Sequence, residues 1–173
     1  NIAAINYHFG SKASLYKATW ECAIKCVQEA YPLDRGVSPG SSPNEKLRAF
    51  IAAMVGRITD DRPSYFHRIH MMEFFKPSGV LDDLINKHFK ANREYTLGLV
   101  REFLGPKANE SDMQLCELSI ISQIRMVRPK LHPKRQHPWH FACKDTERVI
   151  DHITRFSLAG IAAIKGEIDA RTE

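Results

Sequence analysis

Residues 1–16, NIAAINYHFGSKASLY, predict the end of one short helix, a tight turn and the start of a longer helix. Asn1 is a residue type that caps helices, and the small and aliphatic residues after it tolerate helical structure. Gly10 supplies the backbone freedom found at helix C-termini, and Ser11 can cap a new helix that begins at Lys12. The short helix presents amide, phenol and imidazole groups, which are able to reach DNA phosphates or base edges.

The segment from Ala4 to Lys12, AINYHFGSK, resembles the end of the helix-turn-helix of TetR-type (tetracycline-repressor-like) transcriptional regulators. Ala13 stands where an acidic residue is usual in that family, which weakens only a charge effect at the helix start. The resemblance implies five DNA-contacting residues: Tyr7, His8 and Lys12 at the backbone, and Ala4 and Asn6 at the bases. The alternative is a plain helical corner whose polar side chains are packed or solvated.

The resemblance also implies two leading helices before Asn1. A helix-turn-helix uses its first helix to cross the DNA backbone and to brace the recognition helix. We therefore expect the start of the DNA-binding domain to be missing here, either by truncation or because it is too mobile. Residues 1–12 would then be the end of the helix-turn-helix, and residues 13–173 a helical ligand-binding and dimerisation domain.

Composition permits a sizeable core but gives little indication of a partner. The chain has 173 residues, of which 43% are hydrophobic, enough for one or two cooperative units. A formal charge of +5 is too mild to indicate DNA binding by itself. No stretch approaches the roughly 18 apolar residues of a membrane span. We expect a cytoplasmic protein with reduced, buried cysteines and no membrane contact.

Apolar periodicity predicts an all-α fold throughout. The predicted helices cover approximately residues 11–31, 43–58, 64–76, 80–104, 109–127 and 144–167. In the first of them, the pattern places Cys22 and Cys26 on the buried face. Residues 128–143, with three prolines, are predicted to form a solvated loop.

A ligand pocket is predicted around the aromatic helix at residues 64–76. Rings and thioethers at helical spacing can line a cavity for a flat or apolar molecule, although ordinary core packing gives the same pattern. Residues 119–123, SIISQ, are similar to the corresponding region of the CecR-like branch of the family, a looser match that supports the family resemblance. The predicted pocket residues are Phe66, His67, His70, Met71, Phe74, Tyr95 and Gln123.

Two sets of three potential metal ligands share a spacing of three residues: His67, His70 and Glu73, and His137, His140 and Cys143. Neither forms a paired cluster with firm metal-ligand spacing, so we predict no metal and no cofactor. The sequence also lacks a Gly-rich phosphate loop, a nucleophile elbow and an informative pair of carboxylates. We therefore do not expect an enzyme.

The last two helices resemble the dimerisation pair of the TetR-type family, in which two helices from each subunit form a four-helix bundle. Ala159, Gly160, Ala162 and Ala163 permit close approach of another helix, although an intramolecular core is the alternative. We expect a homodimeric transcriptional regulator that binds operator DNA, with repression relieved by an unknown small-molecule effector. The alternatives are a helical ligand-binding dimer without DNA regulation, and a helical enzyme using His67, His70 and Glu73.

Overall fold

The computed structural model describes residues 7–59, 64–127 and 145–171, and at residues 64, 65 and 67 the backbone alone. Over this part of the chain the structure is helical and contains no β-strand, which confirms the predicted all-α fold. The helices are α1 (Lys12–Ala30), α2 (Pro43–Thr59), α3 (Ser64–Phe75), α4 (Asp82–Leu104), α5 (Glu110–Met126) and α6 (Thr146–Ala170). The predicted loop at residues 128–143 lies outside the described residues.

Local hydrogen bonds explain where two of these helices begin. At the start of α2, the Ser42 hydroxyl accepts from the Glu45 N–H at 3.3 Å, and the Glu45 carboxylate accepts from the Ser42 N–H at 2.8 Å. Asn109 and Asp112 form the same reciprocal pair at the start of α5. Each pair satisfies two backbone donors that the helix leaves open. Gly105 follows the end of α4 with a positive φ of 79°, which glycine adopts without steric cost.

One compact unit comprises the described residues of Asn1–Ala30 and Asp61–Ala91, with α1 packed against α3. Trp20 and Val27 are the buried residues of α1, and Leu81, ahead of α4, is also buried. The predicted burial of Cys22 and Cys26 was wrong, because both are exposed, whereas Val27 of the same predicted pattern is buried. A buried tryptophan removes about 150–250 Å² of surface from water, so the helix turns toward Trp20 and away from the two small thiols.

The second unit comprises the described residues of Tyr31–Asp60 and Asn92–Glu173. Its core is built on α2, which is buried along most of its length and packs against α6 and α5. The largest fully buried side chains of this core are Phe50, Leu47, Ile51, Leu104, Ile120, Ile124, Ile150, Val55 and Val100. The division into two units rests on contacts within the chain and does not test the predicted functional boundary at residue 12. That boundary stays a prediction. No helix in the described part of the chain is both long and apolar enough to cross a membrane.

Candidate DNA-binding and regulatory sites

The described part of the predicted DNA-binding segment begins at Tyr7. Residues 7–9 are helical, Gly10 has a positive φ of 71°, and the Ser11 hydroxyl accepts from the Ser14 N–H at 3.0 Å. The observed order is therefore helix, left-handed glycine, cap and new helix, as predicted for this corner. Ala4 and Asn6 lie outside the described residues.

The polar side chains of this corner face solvent. Tyr7 is 86% exposed, and its ring makes an edge contact with His8 at a centroid distance of 5.2 Å. His8 and Lys12 are also exposed. A phenol, an imidazole and an ammonium group are thus accessible within a six-residue span, a chemistry suited to phosphate oxygens.

A cluster of stacked rings occupies the interior of the first unit. The Phe66 ring lies 5.1 Å from the Trp20 ring and 6.1 Å from the His70 ring, which is nearly parallel to it. The His88 ring makes an edge contact with Phe66 at 5.8 Å, and Phe89 lies 5.2 Å from His70. We call Trp20, Phe66, His70, His88 and Phe89 the aromatic cluster. It brings together two predicted pocket residues, Phe66 and His70.

The other predicted pocket residues do not all join this cluster. Met71 is partly buried on α3, whereas Phe74 is 70% exposed and contacts Phe75. The side chain of His67 lies outside the described part of the structure. In the second unit, the Tyr95 ring stacks on Phe50 at a centroid distance of 5.7 Å.

A polar network connects α1 to the end of α3. The Tyr16 hydroxyl donates to Glu73 Oε1 at 2.8 Å, and the N–H and hydroxyl of Ser78 donate to Glu73 Oε2 at 2.9 and 3.0 Å. Glu73, one of the possible metal ligands in the sequence, thus uses both carboxylate oxygens as acceptors of hydrogen bonds within the protein.

The same network shifts the pKa values of its two ionisable groups. Burial raises the pKa of Glu73, but hydrogen bonds from the Ser78 N–H, Tyr16 and the Ser78 hydroxyl outweigh it, so the net pKa is lowered. Burial, followed by the hydrogen bond to Glu73 and the charge of Glu73, raises the pKa of Tyr16 to about 12. The network is therefore most stable with the carboxylate charged and the phenol neutral.

An apolar groove of about 330 Å³ runs between α5 and α6 in the second unit. Gln123 lies in this groove, where its amide donates to the Ser119 carbonyl at 3.0 Å and approaches the Ser157 hydroxyl at 3.4 Å. The groove is lined by Asp112, Leu115, Cys116, Ser119, Ile120 and Gln123 of α5 and by Phe156, Ser157, Gly160, Ile161, Ala163 and Ile164 of α6. Gln123 is therefore part of this groove, apart from the aromatic cluster of the first unit.

Two lining residues of this groove, Leu115 and Phe156, are exposed apolar side chains, and Leu118 is a further exposed one on α5. Leu115 and Leu118 of α5 are 60% and 61% exposed, and Phe156 of α6 is 63% exposed. Together with Met126, they are the large hydrophobic residues that stand exposed in the described part of the second unit. We call the groove, with its exposed lining residues Leu115 and Phe156, the α5–α6 face.

Sequence reasoning missed several members of these sites. Trp20 was not predicted as a site residue, because its partner Phe66 lies 46 positions further along the chain and periodicity does not reveal such a pairing. The acceptor role of Glu73 likewise depends on Tyr16, which is 57 positions away. His88 and Phe89 were predicted only as part of an amphipathic helix.

Comparison with known proteins gives one family. Residues 43–161 match the family described as "HTH-type transcriptional dual regulator CecR, C-terminal domain". No curated protein sequence matches the chain. The matched region covers most of the chain and lies beyond the Ala4 to Lys12 segment on which the TetR-type resemblance rests. The chain therefore belongs to the CecR family of TetR-type transcriptional regulators.

Proposed function

We propose that this regulator is a homodimer that binds operator DNA through residues 1–12 and is released from it by a small-molecule effector, acting as a cytoplasmic repressor. In this proposal Tyr7, His8 and Lys12 contact phosphates, and Ala4 and Asn6 face the bases. The observation that carries the homodimer, and with it a pair of DNA-binding heads, is the exposed α5–α6 face.

A second copy of the chain is the occupant that we propose for this face. Large contiguous apolar surfaces are uncommon on monomers and mark interaction sites. Phe156 lies beside Gly160, where an added Cβ would meet no atom within 4 Å, so there is room for a partner side chain. Two such helix pairs related by a two-fold axis form a four-helix bundle, in which each chain contributes the same face.

The groove alone also has the size of a small ligand pocket, since such pockets begin at about 300 Å³. The exposure of two lining residues, Leu115 and Phe156, favours a protein partner, because a helix pair would cover these side chains more completely than a small effector would. A bundle also supplies two DNA-reading heads, which recognition of two half-sites requires.

For the effector, we propose contact with the aromatic cluster and Met71. Rings within 5–7 Å of each other offer stacking and edge contacts to a flat apolar molecule. An effector that binds more tightly to the DNA-incompetent arrangement shifts the population toward that arrangement and so lowers operator affinity. Operator DNA lowers effector affinity by the same factor.

Sedimentation equilibrium of the chain and of its Phe156→Glu variant tests the dimer. We expect a dimer for the unchanged chain, and a monomer with unchanged helical content for the variant, because a carboxylate placed in an apolar interface is costly to desolvate. Phe75→Glu is the matched control, since Phe75 is equally large and is 75% exposed in the other unit. A monomeric unchanged chain, or a dimer that survives Phe156→Glu, would contradict the proposal.

A further inference from the structure

The exposed face of α1 carries two free thiols in adjacent turns. Cys22 and Cys26 are four residues apart in α1, and both are exposed. Cysteine is among the residue types most often buried, so two exposed cysteines on one helix are unusual. Trp20 and Val27 hold the opposite face in the core, which fixes both thiols on the solvent side.

Helix geometry places Cys22 and Cys26 near each other but too far apart for a disulfide bond. Residues at positions i and i+4 have Cβ atoms about 5–6 Å apart. A disulfide needs Cβ atoms about 3.5–4.5 Å apart, so an intact helix disfavours a bond between Cys22 and Cys26. A metal ion between the two sulfurs matches the spacing better. Two thiolate–metal bonds in line, each about 2.3 Å as in a Zn–S bond, hold the sulfurs about 4.6 Å apart, whereas a disulfide draws them to about 2.05 Å.

With two thiolates as its ligands, the site favours metal ions that accept two-coordinate binding. In the described part of the chain, no group of three or more His, Cys, Asp or Glu residues is arranged to hold a metal. Structural zinc requires four ligands, so two thiols alone do not satisfy it. Soft ions such as Cu(I) prefer thiolates and accept two of them in a linear arrangement.

We propose that Cys22 and Cys26 form a two-thiolate site for a soft ion of linear coordination, with Cu(I), Ag(I) and Hg(II) as the chemical class. On binding, each thiol loses its proton to solvent and each sulfur donates an electron pair to the ion; no electron is transferred. The site lies on the helix that follows the predicted DNA-binding corner, and the proposal does not depend on the function proposed above.

Anaerobic titration with Cu(I) against a chromophoric Cu(I) chelator tests this site. The starting chain carries Cys116→Ser and Cys143→Ser, so that Cys22 and Cys26 are its remaining thiols. We expect one Cu(I) per chain. In Cys22→Ser and in Cys26→Ser we expect affinity to fall about 100-fold or more, because the second thiolate no longer binds intramolecularly.

A spacing variant separates the site from simple thiol affinity. Glu21→Cys combined with Cys22→Ser keeps two exposed thiols but moves one of them to the far side of the helix, at a spacing of five residues. We expect this variant to bind as weakly as the single-thiol variants, with helical content unchanged. Binding as tight as in the starting chain would overturn the proposal, as would a complex of one Cu(I) bridging two chains, detected by mass.

Discussion

The hydroxyl of Tyr16 donates a hydrogen bond of 2.8 Å to the carboxylate of Glu73. Tyr16 lies on the helix that follows the predicted DNA-binding corner, and Glu73 lies in the last turn of α3, beside the aromatic cluster on the same helix. The contact fixes the rotation of α1 against the helix that carries Phe66 and His70. It is therefore a defined polar link between the helix that follows the predicted DNA-binding corner and the proposed effector site.

We expect Tyr16→Phe to lower the free energy of unfolding by about 1.5 kcal/mol, because a hydrogen bond to a charged acceptor is lost and one buried carboxylate oxygen loses its donor. Urea unfolding followed by circular dichroism measures the change. Tyr7→Phe is the matched control and should leave stability unchanged, since Tyr7 is 86% exposed. Equal effects of the two variants would mean that the Tyr16 hydroxyl contributes nothing.

Stability should depend on pH in two separate windows. The pKa of Glu73 is lowered on folding, so its contribution is complete above the ordinary value of 4.5 and is lost as pH falls through the folded value. The pKa of Tyr16 is raised from 10.0 to about 12, so its contribution is complete below pH 10.0 and is lost as pH rises toward 12.

The difference in unfolding free energy between the unchanged chain and Tyr16→Phe isolates the alkaline window, because the other titrating groups cancel. We expect this difference to be constant from about pH 6 to 9 and to shrink between about pH 10 and 12. A difference that stays constant through this range would show that Tyr16 does not titrate as the contact to Glu73 requires.

A close helix contact in the second unit gives a steric prediction. Gly56 packs against the ring of Tyr31, and a Cβ at position 56 would overlap that ring. The Tyr31 carbonyl is held by the Arg57 Nε–H at 2.9 Å, so the backbone of Tyr31 is not free to retreat. We expect Gly56→Ala to destabilise the chain by about 1–3 kcal/mol in thermal or urea unfolding.

Two further variants test the steric origin of this effect. Gly98→Ala, at a helix position with open space, should be neutral or stabilise by up to about 1 kcal/mol through helix propensity. Adding Tyr31→Ala to Gly56→Ala should remove most of the penalty specific to Gly56→Ala, which appears as a coupling energy in a double-mutant cycle. Strict additivity of the two changes would contradict the overlap.

The sequence predicted the helices well because their signals are local. Apolar spacing, the Ser42 and Asn109 caps and Gly105 lie within or beside the helices that they define. Which face of a helix is buried was less predictable. In α1, cysteines and alanines are compatible with more than one rotation, and the burial of Trp20 against a distant Phe66 decided it.

The candidate sites also differ in how local their sequence signals are. Tyr7, His8 and Lys12 follow from a short contiguous motif, and their exposure fits the predicted role. Phe66 and His70 were found because they lie in one aromatic helix. Gln123 was grouped with them, yet it faces Ser157 across the α5–α6 groove, since sequence alone does not reveal which helix a side chain meets.

The most direct test of the central claim is DNA binding by the protein together with the two leading helices that the TetR-type resemblance implies. The DNA is a duplex selected from random sequences, and binding is measured at two salt concentrations. We expect a dimer whose affinity falls steeply with salt, and Tyr7→Ala with Lys12→Ala should weaken binding and reduce the salt slope by about 2, one for each Lys12 of the dimer. Undiminished affinity and an unchanged slope in this double variant would contradict the assignment of residues 1–12 to DNA.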